Sequence, residues 1–206
     1  MTAERTAGRV GAIVLAGGRS SRFGRDKLAE SIDGRTLLAH AIDAVRGLGD
    51  PVVVVTSPGS RLAVPGGVIV ASDNRPFEGP LAGLAVGLRA MPSSVERVVV
   101  VGGDMPTLVA AVLRALVRGL DTHDLVILAD DTGPRPLPMA VRRTPAGAAV
   151  DGLLTQGERR LRALLTVLDV TAMPPAAWRV DDPAGATLRD VDTPTDLPPD
   201  RSGHVS

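Results

Sequence analysis

Apolar residues along the chain fall into two patterns. The first is a set of short, unbroken runs: VGAIVL (10–15), PVVVV (51–55), GVIVA (67–71), RVVVV (97–101) and LVILA (125–129). Each is rich in β-branched residues and bounded by Gly, Pro or polar positions, the mark of a strand buried on both faces. The second pattern lies between the runs. In TLLAHAIDAVRGL (36–48), GPLAGLAVGLRAM (79–91) and residues 107–120, apolar positions recur at helical spacing. Pro80 suits the first turn of its helix. LPMAVR (137–142) predicts another strand, which Pro138 makes irregular or places at an edge. Helices near 146–154 and 158–166 and short strands near 168–172 and 187–191 complete the series. One domain over 10–197 is expected, between a flexible N-terminus (1–9) and a flexible tail (198–206).

Strands without internal alternation, interleaved with helices, imply an α/β fold whose mostly parallel central sheet is covered on both faces. In such sheets ligands bind beyond the carboxyl ends of the strands. That rule brings three loops to one edge: 16–26, 72–80 and 102–107.

Composition narrows the chemistry. The 206 residues include no cysteine, which excludes disulfides, thiol nucleophiles and thiolate metal sites, and fits a cytoplasmic protein. Formal net charge is zero and aromatics are 1% of the chain, so neither an electrostatic nor a stacking case for nucleic acid arises. The N-terminus has no signal-peptide core and no apolar run is long enough to span a bilayer. His40, His123 and His204 show no metal-ligand spacing, and there is no GxSxG.

The unusual residues sit in the three loops. LAGGRSSRFGRDK (15–27) puts Gly17 and Gly18 directly after the first strand, where backbone N–H groups can form an anion-binding nest. Arg19, Arg22, Arg25 and Lys27 surround it with positive charge. Lys27 is the only lysine, against 22 arginines among the 23 basic residues. The loop fits neither GxxxxGK[ST] nor GxGxxG. In GGDMP (102–106), Asp104 follows a four-valine strand. A carboxylate there can hold Mg²⁺ shared with substrate phosphates, or cap the helix expected near Thr107. In the third loop, Asp73 could accept from a base or sugar.

Taken together, these loops resemble a known family. LAGGRSSRFGRDK is similar to the nucleotidyltransferase signature LAGGxSxRMGxDK, with Phe23 in place of Met. EGPLAGL (78–84), GGDMPTL (102–108), LTQGERRLRALL (154–165) and DVDTPTDL (190–197) resemble the molybdenum cofactor guanylyltransferases. The resemblance covers about residues 10–197. It implies a three-layer α/β/α sandwich, Rossmann-like and of the GT-A-like nucleotidyltransferase type. The activity it implies is transfer of GMP from GTP to the terminal phosphate of molybdopterin, releasing pyrophosphate.

By position, the resemblance places nucleotide contacts at Leu15, Ala16, Gly17, Lys27, Asp73 and Asp104, and at Thr56, which stands where the family has an asparagine; Gly18 joins them through the glycine nest. It places the metal ligand, for Mg²⁺, at Asp104. Lys27 and Asp104 would carry catalysis, with Arg22 as a second clamp because its planar fork suits phosphate oxygens, and Asp190 and Asp192 would face the pterin side. The family often has Asn-x-Asn-Thr-Pro where this chain has DVDTP, an acidic version shared with cytidylyltransferases. A cytidylyltransferase, another small-phosphate nucleotidyltransferase and a non-catalytic nucleotide-binding carrier are the alternative functions. Partners implied besides the two substrates are molybdoenzyme apoproteins or other cofactor-biosynthesis proteins. Arg159, Arg160 and Arg162 form either a solvated helix face or, from the position of QGERR, a phosphate contact.

Overall fold

The computed structural model describes residues 9–17, 27–72, 79–191 and 193–196. In chain order the elements are β1 (Arg9–Ala16), β2 (Ser31–Ile32), β3 (Arg35–Thr36), α1 (Leu37–Arg46), β4 (Val52–Thr56), β5 (Ile69–Ser72) and α2 (Pro80–Ala90). Then follow β6 (Val95–Gly102), α3 (Ala110–Gly119), β7 (Leu125–Asp130), β8 (Gly133–Arg142), α4 (Arg143–Thr155), β9 (Val170–Met173) and the short α5 (Pro175–Trp178). Single 3₁₀ turns span Lys27–Ala29, Leu161–Thr166, Ala186–Leu188 and Pro194–Asp196.

The main sheet has the order β5-β4-β1-β6-β8-β7-β9. Its ladders are parallel except those on either side of β8, so β8 alone runs against the other strands. The residues of each strand divide by parity between two cores, as the pleat requires. Ala12, Val14, Val52, Val54, Val99, Val101, Val126 and Leu128 face one side, where α1, α3 and Trp178 pack. Ile13, Val53, Val55, Val98, Val100, Leu125 and Ile127 face the other, covered by α2 and α4. Both faces of β1 and β4 being dry, no polar position interrupts their runs, whereas the edge strand β5, whose run also reads as a buried strand, leaves Ile69 and Val70 exposed. Such α/β/α layering is the architecture expected for the chain.

Local chemistry sets the element ends. The Thr36 hydroxyl accepts from the Ala39 amide at 3.1 Å and caps α1, whose Leu38, Ala41, Ile42 and Val45 form one buried stripe. At Gly79, φ is +89° and a Cβ would lie 2.9 Å from the Arg159 carbonyl oxygen. Only glycine fits that turn into α2.

The structure corrects several expectations. Arg9, expected in the N-terminal tail, begins β1, and its guanidinium pairs with Asp50 at 2.9 Å. Of the two options for the 137–142 strand, irregular or at an edge, the structure shows the irregular one: β8 runs from Gly133 and lies between β6 and β7, with a break in its register. Ile127 pairs with Met139 but Leu128 pairs with Arg135, so residues 136–138 bulge out of the ladder. Pro136 and Pro138, which have no N–H to donate, sit in that bulge. The 158–166 helix is only a 3₁₀ turn from Leu161, because Gly157, at φ +83°, ends α4 just before it. The strand expected at 187–191 is instead a 3₁₀ turn over Ala186–Leu188 entered through left-handed Gly185. The β2–β3 hairpin has no counterpart in the sequence reading. Residues 1–8 and the 198–206 tail lie outside the described residues.

Candidate active site

The carboxyl edge of the sheet collects the loops singled out by sequence. Register puts Ala16 beside Thr56 and Leu15 beside Gly102. The Leu15 carbonyl accepts from the Gly103 amide at 2.9 Å, extending the β1–β6 ladder past the end of β6. Gly17 lies against Ser57, whose Oγ would be 3.3 Å from a Cβ there. Thr56 is 7% exposed, so it belongs more to the floor of the edge than to its surface. Ser57, one residue further, is the polar group beside Gly17, and no sequence pattern distinguished it.

Lys27 and Asp104 meet at this edge. Lys27 opens the Lys27–Ala29 turn, anchored by Leu28, which is buried in the core on the α1 side. A Cβ on Gly103 would press on Leu28 at 3.3 Å, so the glycine lets this turn close over the loop after β6. The Lys27 Nζ lies 2.8 Å from Asp104 Oδ2. It also donates to the Val191 carbonyl at 3.0 Å. The two side chains are 18% and 26% exposed, so the pair is half-sheltered and reachable from solvent. Asp104 is not a helix cap: α3 begins at Ala110 after Val109, too far along the chain. Met105 is buried and its sulfur accepts from the Gly102 amide at 3.4 Å, shaping the loop.

The C-terminal segment closes one side. The Val191 amide donates to the Asp104 carbonyl at 3.0 Å, while the Val191 side chain packs with Ile32 of β2 and Leu37. Asp190 is the exposed neighbour of Val191. On the other side, the Glu158–Arg160 segment lies over the first turn of α2, with the Leu81 amide donating to the Arg159 carbonyl at 3.2 Å. Arg159 and Arg160 are exposed and are not on a helix. The Glu158 carboxylate accepts from the Arg159 and Arg160 amides at 2.8 and 3.0 Å and from Arg160 Nε at 3.2 Å. The Arg160 guanidinium first, then the two amides, holds its pKa down at about 2.

Leu15, Ala16, Gly17, Lys27, Thr56 and Asp104 are therefore neighbours on one edge, with Asp190 beside them. Gly18, Arg22, Asp73 and Asp192 lie outside the described residues. His40, on α1, bonds the Ile32 carbonyl through Nε2 at 2.9 Å, and Trp178 is buried, its Nε1 donating to the Ala129 carbonyl at 2.9 Å. Neither belongs to the site.

A divalent cation fits Asp104 in one way only. Among the described residues no group of three or more His, Asp or Glu side chains converges. A hard cation there would take one carboxylate and complete its shell with phosphate oxygens and water, the usual arrangement for Mg²⁺. An ammonium already sits 2.8 Å from Asp104 Oδ2, so the position accepts positive charge.

Residues 12–172 match the model of the MobA-like NTP transferase domain. A protein of Chloroflexus aggregans named "Probable molybdenum cofactor guanylyltransferase" is 34% identical over 191 residues, 90% of each chain. A Mycobacterium marinum protein of the same name is 34% identical over 196 residues, 93% of this chain and 94% of the relative. In fold, the chain superposes on the crystal structure of molybdopterin-guanine dinucleotide biosynthesis protein A from Archaeoglobus fulgidus. The TM-score is 0.74 at 23% identity, covering 91% of this chain and 94% of that one.

Proposed function

The chain belongs to the MobA-like NTP transferase family, and from that premise we propose that it transfers GMP from GTP to the terminal phosphate of molybdopterin. The observation that carries the proposal is the Lys27–Asp104 pair at the carboxyl edge, in a chain a third identical to guanylyltransferases over nearly its full length.

In the reaction, a phosphate oxygen of molybdopterin attacks the α-phosphorus of GTP. The bond from that phosphorus to the bridging oxygen of the β-phosphate breaks, and pyrophosphate leaves with the electron pair. A phosphate monoester has its second pKa near 6, so at neutral pH the attacking group is largely a dianion. No general base is needed, which suits an edge without histidine among its described residues. What must be supplied is positioning and neutralisation of charge on the α-phosphate and the leaving group.

Asp104 would hold Mg²⁺, which when bound would supply positive charge to offset that of the phosphates. Lys27 would then leave Asp104 for the phosphates. A compact ammonium on a flexible stem can make that move, whereas a guanidinium prefers a fixed planar fork, and this is our account of the lone lysine. The backbone of Leu15–Gly17 and the end of β4 would receive the nucleoside, and Arg22 and Asp73 would complete the contacts. Asp190 and Asp192 would face the pterin. We place the reaction in the cytoplasm, with molybdoenzyme apoproteins or other cofactor-biosynthesis proteins receiving the product. No helix among the described residues is long and apolar enough to cross a membrane.

The acidic DVDTP segment favours one second reading, a cytidylyltransferase of the same mechanism. Purified protein with Mg²⁺ and molybdopterin, offered GTP, CTP and ATP in parallel, tests both. Pyrophosphate and a guanine dinucleotide from GTP alone support the proposal. Turnover with CTP instead moves the chain to the second reading, and nucleotide binding without product favours a carrier.

A further inference from the structure

Asp182 lies far from Lys27 in sequence and belongs to none of the motifs above. The residue is buried, 4% exposed. Burying a carboxylate is costly unless hydrogen bonds replace its water. Here Oδ1 accepts from the Ala186 amide at 3.0 Å and Oδ2 from the Thr187 amide at 2.7 Å. Gly185, at φ +64°, supplies the turn that folds the amides back.

The result is a rigid knot, and its outer surface grips the loop that carries Asp104. Thr187 is fully buried, and its Oγ1 accepts from the Val109 amide at 3.1 Å. The Ala186 carbonyl accepts from Thr107 Oγ1 at 2.8 Å. Beyond the knot, the Val191 amide reaches the Asp104 carbonyl at 3.0 Å and the Val191 carbonyl reaches Lys27 at 3.0 Å. The loop is thus held at residues 104, 107 and 109 by one C-terminal segment. The β1 strand holds the loop on its entry side, where the Gly103 amide donates to the Leu15 carbonyl at 2.9 Å. The C-terminal segment holds Asp104 and the exit side, so the placement of Asp104 depends on these bonds as well.

We propose that Asp182 is a positioning residue: through Thr187 it holds the 104–109 loop so that the Asp104 carboxylate is aimed for a cation and nucleotide phosphates. This rests on the cation-holding role given to Asp104 above. Asp182 touches neither substrate nor metal, so its effect must appear as a change in cation affinity rather than in chemistry alone.

The test uses Thr187→Val, Thr187→Ser and Asp182→Asn in the full chain, with Asp104→Asn as control. Mn²⁺ affinity in the presence of GTP is read by electron paramagnetic resonance, hydrogen exchange at the Val109 and Val191 amides by mass spectrometry, and folding by thermal melting. Removing one hydrogen bond from such a chain is worth about a three- to tenfold change. Thr187→Val and Asp182→Asn are expected to weaken Mn²⁺ by that much and to speed exchange at both amides. Thr187→Ser, which keeps the hydroxyl, is expected to restore both. A lowered melting point in Thr187→Val with wild-type Mn²⁺ affinity and unchanged exchange at Val191 would overturn the proposal. If Thr187→Val does not fold, exposed Thr107→Val removes one bond of the same grip, and unchanged Mn²⁺ affinity there overturns it equally. Should Asp104→Asn leave Mn²⁺ affinity untouched, the cation reading has failed. The exchange rates, which need no metal, then decide alone whether Asp182 holds the loop.

Discussion

Replacing Lys27 by Met separates the two tasks given to its ammonium. The substitution keeps the stem and most of the volume but removes a charge 2.8 Å from Asp104 Oδ2 and a donor 3.0 Å from the Val191 carbonyl. In the free protein, that ammonium competes with a cation for Asp104. In the reacting complex, it neutralises the phosphates. The two effects have opposite signs. Loss of one electrostatic donor to a transition state lowers turnover by about 10²-fold, equivalent to about 2.7 kcal/mol of barrier. Meanwhile Mn²⁺ binding to the nucleotide-free protein should tighten, because Asp104 no longer has its internal partner. Stability should change little, by about 1 kcal/mol, since the pair is reachable from solvent and its attraction is offset by water. The assay is pyrophosphate release with GTP and molybdopterin, set beside Mn²⁺ titration of the free protein. Near-wild-type turnover removes Lys27 from the mechanism. A loss of turnover accompanied by weaker Mn²⁺ binding would show that Lys27 supports the Asp104 loop rather than competing for it.

Other substitutions probe the frame of the site. Gly79→Ala should destabilise the protein by about 1–3 kcal/mol in urea unfolding, because φ +89° is open only to glycine and the new Cβ would meet the Arg159 carbonyl. Glu158→Gln tests the segment over α2. The folded carboxyl is held at about 2, below its ordinary 4.5, so its stabilisation is fully present above pH 4.5 and is lost as pH falls toward 2. The variant should be less stable than wild type at pH 7, and the gap should close on acidification when melting is followed from pH 7 to 2.5. Trp178→Phe removes the donor to the half-buried Ala129 carbonyl and shrinks a fully buried ring, and should cost about 1–3 kcal/mol in urea unfolding monitored by circular dichroism.

The sequence was informative where one physical cause dominates. Strands buried on both faces must be continuous apolar runs, so β1, β4, β6 and β7 were legible at once, and the carboxyl-edge rule then assembled Lys27, Gly17 and Asp104 from distant stretches. It was less informative where tertiary contacts choose among local options. Pro138 argues against an interior strand, and only the bulge opposite Ile127 and Leu128 reconciles it with one. TLRDV (187–191) reads as a strand, but the bonds of Asp182 to the Ala186 and Thr187 amides coil its start into a 3₁₀ turn. The grip of that turn on Thr107 and Val109 spans nearly eighty residues and has no local pattern. An Asp three residues before a Gly hints at a turn, though not at what the turn would hold.

The central claim is that Lys27, with a cation that Asp104 would hold, neutralises charge in a direct displacement and that no side chain attacks the nucleotide. The most direct measurement is the configuration at the α-phosphorus when a chiral α-thio analogue of GTP is turned over with molybdopterin. A single in-line displacement predicts inversion in the dinucleotide product. Retention would mean two displacements and a nucleotidyl group carried on the protein, with Lys27 as a nucleophile, and would contradict the mechanism.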